Sequence, residues 1–334
     1  MKKTDPIEAA LNAIGELRAA RSPEEVTAQL RPYLKSRSNL VVAKAAKVAG
    51  KLQLAGLVSD LIAAFDRLWV NPAKLDKRCA ATTEIVNVLY EMDYTEPDIY
   101  LRGIRHVQKE ASFGPPVDEA AKLRGVCAQG LLRTRHADAM ALVVNLLVDS
   151  EPPARLGAVR ALALNGGDAG ILLLRLKVLT GDEDPEIISE CFAGSIAAAA
   201  EQSVPFVATY MDAGDAVVAE AAIWALGQSR QIAALAALKD KWERTVERPA
   251  RKVLIAALAA SRLEEAIEYL VNQLRRADVR TAEDILTALS NYAGGESVRM
   301  AIAAAVEKRD EPAVTKLFKQ RFEQKGAGSV HSLL

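Results

Sequence analysis

Several residue types are scarce in this chain, and each scarcity removes a class of function. Histidine and cysteine number three each in 334 residues. His106, His136 and His331 stand far apart, and none is followed by glutamate. Cys79, Cys127 and Cys191 are equally scattered and odd in number. Neither a metal-ligand spacing nor a disulfide framework is legible in them. They read as buried thiols, and no metal or cofactor is expected. No phosphate-binding glycine loop and no nucleophile elbow appear, so the chain is not expected to be an enzyme. No apolar run approaches the ~20 residues of a membrane span. The N-terminus begins Met-Lys-Lys, but Asp5-Pro6 follows without an apolar stretch. A secretory leader is therefore not expected, and a cytoplasmic location is. An excess of one charge is missing too: 43 basic residues balance 43 acidic ones. That argues against a dedicated nucleic-acid binder, which needs a basic footprint.

What the chain does have is apolar residues, half of the total, with only 5% aromatic. The stretch Asp215–Arg244 shows how they are arranged. Val218, Ala222, Ala225 and Ser229, with Leu226 beside them, fall at helical spacing and form one apolar stripe. Asp215 precedes the stripe, where a carboxylate accepts from free N–H groups and suits the helix dipole. Gly227 is placed to end the helix in a left-handed conformation. A second stripe follows: Ile232, Leu235, Leu238, Trp242. Each helix is too short to be stable alone. The pair must bury its stripes against each other and against neighbours.

The same spacing recurs along the chain. With Ala225 as anchor, matching first helices place Val48, Val88, Ala128, Ala161, Gly194, Ala257 and Ala288 at the same point. The steps are 40, 40, 33, 33, 31, 32 and 31 residues. The two long steps contain Asn71-Pro72 and the run Phe113-Gly-Pro-Pro116. Ten residues before the anchors stand Ser38, Arg78, Asp118, Glu151, Asp184, Asp215, Glu247 and Asp278, all but Arg78 of capping or acidic type. Past the anchors, a second-helix seam repeats as Ile171/Leu174/Val178, Val204/Val207/Met211, Leu235/Leu238/Trp242, Ile267/Leu270/Leu274 and Val298/Ala301/Ala305. In the third repeat Asp138 falls on the first seam position, so the register there slips by one or two residues.

This unit resembles the HEAT repeat in its short bacterial form, the phycobilisome-lyase HEAT-like repeat. The resemblance rests on Glu151-Pro-Pro-Ala-Arg155 with Ala158-Val159 and Ala161-Leu162. It rests also on Ala250-Arg251 with Ala257-Leu258, and on Ala225-Leu226-Gly227. The motif's basic residue is present as Lys122, Arg155 and Arg251; Val42, Thr82, Ile188, Ala219 and Ala282 replace it elsewhere. The resemblance implies an all-α fold, a right-handed alpha-alpha superhelix or HEAT-type solenoid of about eight helical hairpins plus terminal helices. Capping helices are expected over 1–37, the repeat array over 38–308, a C-terminal capping helix over 309–325 and a flexible tail over 326–334. No sheet is expected between Ser38 and Lys308.

Solenoids of this kind serve many ends, so the fold alone names no partner. It implies a non-catalytic scaffold or adaptor that binds another protein or peptide, with second helices lining the concave face. On the side of those helices away from the seam stand Leu173, Phe206, Tyr269 and Met300, with Lys177, Tyr210, Lys241 and Gln273 one turn on. These are candidate partner-binding residues. Arg102 and Arg105, with Lys109, form a basic run assigned to the second helix of the second repeat, a further candidate contact. Trp242 reads as core. Asp118–Lys122, Glu151–Arg155 and Glu247–Arg251 read as helix-supporting pairs or a ladder between repeats. Two other roles come from the family: a HEAT-like DNA glycosylase, which needs a basic channel around an extruded base, and a bilin lyase-like chaperone. The several His-Glu pairs of the deoxyhypusine hydroxylases have no counterpart here.

Overall fold

The computed structural model describes residues 5–17, 22–292 and 295–323. Gly294, His331 and the tail at 326–334 lie outside the described residues. The fold is all-α, built from short helices in hairpins. The chain divides into two compact units, Met1–Leu179 and Thr180–Leu334. The first holds α1 (Pro6–Glu16), α2 (Pro23–Leu34), α3 (Asn39–Lys51), α4 (Val58–Trp69), α5 (Pro72–Leu75), α6 (Ala80–Glu91), α7 (Asp98–Gly103), α8 (Ala121–Thr134), α9 (Ala139–Leu146), α10 (Pro152–Asn165) and α11 (Gly167–Thr180). The second holds α12 (Pro185–Ala198), α13 (Ala200–Thr209), α14 (Ala216–Gln228), α15 (Ile232–Arg244), α16 (Arg248–Ala260), α17 (Glu264–Leu274), α18 (Val279–Tyr292), α19 (Glu296–Glu307) and α20 (Pro312–Phe318).

Local chemistry starts these helices where the sequence signals them. Asp184 and Asp215 accept from the backbone N–H two residues on, at 3.0 and 2.8 Å. Asp278 accepts from the Thr281 N–H at 3.1 Å. Proline opens α10, α12 and α16, where no N–H is missed. Ser38, Glu151 and Glu247 also stand at N-cap positions, but their side chains make no cap hydrogen bond, and the N-cap of α8 is Ala120 rather than Asp118. The second repeat departs furthest from the pattern. Arg78 and its neighbour Cys79 are both left-handed, at φ 63° and 47°. The capping carboxylate comes instead from Asp76. It is fully buried and accepts from the N–H groups of Ala81 and Thr82, the Thr82 hydroxyl and the Asn39 amide.

In each unit the most extensive packing runs along the row of first helices, α3–α6–α8–α10 in one and α12–α14–α16–α18 in the other. Small residues permit this. A Cβ on Gly157 would sit 2.1 Å from the Cα of Gly125, so α8 and α10 touch backbone to backbone. Gly227 serves the same purpose between α14 and α16: a Cβ there would meet the Ala257 carbonyl oxygen at 2.5 Å. That corrects the sequence reading of Gly227 as a helix terminator. It lies inside α14, and Arg230 takes the left-handed turn at φ 55°.

The second-helix seams are buried as expected in α11, α13 and α17, and in α15 from Leu235 onward. Ile232 is the exception in α15: it occupies the first helical position and is 61% exposed. In α19 the seam moves by about one residue. Ile302, Ala305 and Val306 are buried, while Ala301 faces solvent and Val298 is half-buried. In α9 the slip expected at Asp138 is one to two residues, and Ala139, Val143 and Leu146 are buried.

One expectation fails outright. Lys109–Glu110 (β1) pairs antiparallel with Val117–Asp118 (β2). The cause is the long insert between α7 and α8. Pro115-Pro116 cannot extend a helix, and the turn is tied by Ser112, whose hydroxyl donates to the Pro115 carbonyl and accepts from the Gly114 N–H. The two flanking arms are left extended and pair with each other. This sheet is two residues per strand and carries no core, so the helical-repeat architecture stands. All three cysteines are buried. No helix of the described residues is long and apolar enough to cross a membrane.

Candidate interaction surface

Two of the three basic residues of the repeat motif, Arg155 and Arg251, are absorbed by the fold. Arg155 donates from Nη1 to the carbonyls of Asp149 and Ser150, at 2.8 and 3.1 Å. Arg251 donates to the Thr245 carbonyl at 2.6 Å and lies over the Trp242 ring. Each clamps the turn that leads into its own helix. Trp242 is 3% exposed, core as the sequence suggests. Asp118 turns to Arg124 rather than to the exposed Lys122. Arg124 is a buried hub, donating to Asp118 at 2.7 Å, to both oxygens of Asp149 at 2.9 and 3.0 Å, and to the His106 carbonyl at 2.8 Å. Burial pushes the Asp118 carboxyl upward, but N–H groups of Gln108 and Ala120 together with Arg124 more than offset it, holding it below its ordinary value.

The basic run on the second repeat is not a helix face. Only Arg102 lies in α7; Arg105 follows its end and Lys109 sits on β1. Arg102 bonds Asp66 at 2.8 Å and Asp98 at 3.0 Å and covers the rings of Phe65 and Trp69. Its charge is spent inside the protein. Arg105 is exposed.

The remaining candidates sit on second helices, except Tyr210, which lies in the single turn after α13. Leu173 and Lys177 of α11 are half-buried. Phe206 and Tyr210 are also half-buried, meeting edge to face with ring centroids 5.3 Å apart, and Tyr210 leans on the buried Phe192. Lys241 pairs with Asp212, whose carboxyl is lowered chiefly by that hydrogen bond. Tyr269 donates to Glu243 at 2.7 Å beneath the Lys239 ammonium. Burial and then the Glu243 carboxylate raise its hydroxyl well above the ordinary tyrosine value. Gln273, expected on the surface, is buried at 7%; it packs inward beside Leu274 and accepts from Arg276. Met300 is 67% exposed. The candidates of unit 2 thus form a surface of partly covered rings and locked charges rather than one open aromatic groove.

Between α17 and α19 there is a cleft of 620 Å³. Ile267, Val271, Val298 and Ala301 supply its apolar lining. Arg262, Glu264, Glu268 and Arg275 stand along the α17 side, and Asn272 with Ser297 adds neutral polar groups. The cleft exists because second helices splay where first helices touch. Its α17 face repeats at three- and four-residue spacing, a pattern visible in the sequence. The shift of register in α19, which turns Ala301 outward beside the Met300 already expected there, was not.

No protein-family model matches the sequence, and no curated protein matches it. Among solved structures, an engineered protein is 20% identical and aligns over 96% of each chain at a TM-score of 0.40. The complex of CpcE and CpcF of phycocyanin lyase from Nostoc is 17% identical, over 74% of this chain and 93% of that one, at 0.35. Human deoxyhypusine hydroxylase is 17% identical, over 86% and 91%, at 0.30.

Proposed function

We propose that the protein is a non-catalytic interaction scaffold that holds a peptide or helix of another protein on the second-helix side of unit 2. The observation that supports this most directly is the α17–α19 cleft, with its apolar floor and a rim carrying both signs of charge. Such a site suits an amphipathic segment: apolar anchors fill the floor while its polar side meets Arg262, Glu264, Glu268 and Arg275. A balanced overall charge fits recognition of a protein surface better than of a polyanion. Selection of a displayed library of helical peptides against the intact chain tests the reading. Binders are expected to lose roughly tenfold or more in affinity, about 1.4 kcal/mol, when Ala301→Arg fills the cleft. Met300→Glu at its edge should weaken them less. Binders indifferent to both substitutions, with helicity unchanged, would place recognition elsewhere.

A further inference from the structure

Helix α11 is apolar on two faces. Ile171, Leu174 and Val178 are buried in the seam. Leu172, Leu176 and Leu179 are nevertheless 66%, 53% and 69% exposed. At the same three points past their anchors, the next second helices and the residues just after them carry Pro205, Thr209 and Asp212, then Ala236, Asp240 and Glu243, then Glu268, Asn272 and Arg275. Seven of those nine are polar or charged and none is a large aliphatic, where α11 presents leucine. A helix hydrophobic all round is ordinarily covered on all sides.

The exposed residues have a register. Ala169, Leu172, Leu176 and Leu179 are all solvent-facing and spaced three, four and three apart. That is the alternating spacing of a two-helix coiled-coil seam. We infer that this seam is the contact between two copies of the chain, α11 lying antiparallel against α11 of a second copy about a two-fold axis. In that arrangement Leu172 faces Leu176 of the other copy, and the small Ala169 faces the large Leu179. The leucine layers at the centre and the mixed layers at the ends then interlock knobs into holes. A single surface that complements itself is what a two-fold dimer requires.

One observation favours a second copy over an unrelated occupant, and two more favour association. The spacing is self-complementary, as just described. The zero net charge leaves no overall repulsion between two copies. The position of α11 is also firmly set: Gly166 and Gly170 pack so tightly at the α10–α11 junction that a Cβ on Gly170 would lie 2.7 Å from the Leu162 carbonyl oxygen. A rigidly placed stripe loses little freedom on association. One short helix pair covers less than the ~800 Å² per partner of a standard interface. The dimer is therefore weak and reversible, in the micromolar range or above.

Sedimentation equilibrium on the full chain, from about 1 µM to about 1 mM so as to bracket weak affinities, should show mass rising from one copy toward two. Leu172→Glu and Leu176→Glu, each at an exposed position, should hold the chain monomeric throughout, at least tenfold weaker in association, with helicity unchanged. Mixing a Leu172→Cys protein with a Leu176→Cys protein under oxidising conditions should give a cross-linked pair that neither forms as readily alone. A chain that stays monomeric to the top of the range overturns the inference. So does a dimer that survives both glutamates, or cross-linking with no preference for the mixed pair. The α17–α19 cleft shares no residue with this stripe, so the two readings stand or fall separately.

Discussion

At the scale of single residues, the arginines decide more than their sequence setting suggests. Arg124 belongs to no motif position, yet it gathers two aspartates and a carbonyl at 4% side-chain exposure. The sequence reads Asp118 as a helix cap paired with Lys122, but it lies on β2, accepts from the Gln108 and Ala120 N–H groups ahead of the helix, and leaves α8 without a side-chain cap. Its second oxygen is committed to Arg124 because the insert folds back over α8. The consequence is a pH dependence. The folded carboxyl titrates below its ordinary value, so ionised Asp118 stabilises the fold above the unfolded-state carboxylate range of about 4. That contribution is lost as pH falls through the lower folded value. Asp118→Asn should cost roughly 1–3 kcal/mol near neutrality, the range for a lost buried partner whose other aspartate remains. The gap from the unsubstituted chain should narrow in acid. Thermal melting between about pH 2 and pH 7 measures it, against carboxylates that ordinarily titrate near 4. A gap constant with pH would separate Asp118 from this titration.

At the scale of elements, helix existence and pairing were legible, and register at the ends was not. The seams of α11, α13 and α17 lie where spacing placed them, because each stripe repeats at the three- and four-residue spacing of one helix face. In α19 the buried stripe is advanced by about one position, and nothing in local periodicity separates Ala301 from Ile302. The insert was equally opaque. Its prolines announced a break, but the β1–β2 pairing depends on contacts across the fold, among them the Glu110 carboxylate accepting from the Arg78 N–H at 2.6 Å. Of the candidate surface, the second-helix location was readable, while Arg102 and Gln273 were lost to partners in other elements or to burial. The revised α19 seam makes a sharp contrast. Ile302→Ala should destabilise by about 2–4 kcal/mol, as for a large aliphatic removed from a core. Ala301→Ser, on the solvent side, should stay within ~0.5 kcal/mol. Urea unfolding of both variants decides between the two registers, and equal costs would restore the one first read from the sequence.

At the scale of the molecule, the sharing of burial between neighbouring helices within each unit governs how damage spreads. Each hairpin buries its stripes mainly against the next, so stability is close to a sum of local and nearest-neighbour terms. Gly227 is a clean place to test that. It has no side chain to lose, and a methyl there would collide with backbone of Ala257 at 2.5–2.9 Å. Gly227→Ala must therefore push α14 and α16 apart, at a cost of about 1–3 kcal/mol for an overpacked contact. In a nearest-neighbour array that cost is felt where it is applied. Native-state hydrogen exchange should show α14 and α16 losing protection, α15 between them following, and α3, α6 and α8 of the other unit keeping theirs. A uniform loss across both units would mean that the chain opens only as a whole, and the repeat-by-repeat account of its stability would have to be abandoned.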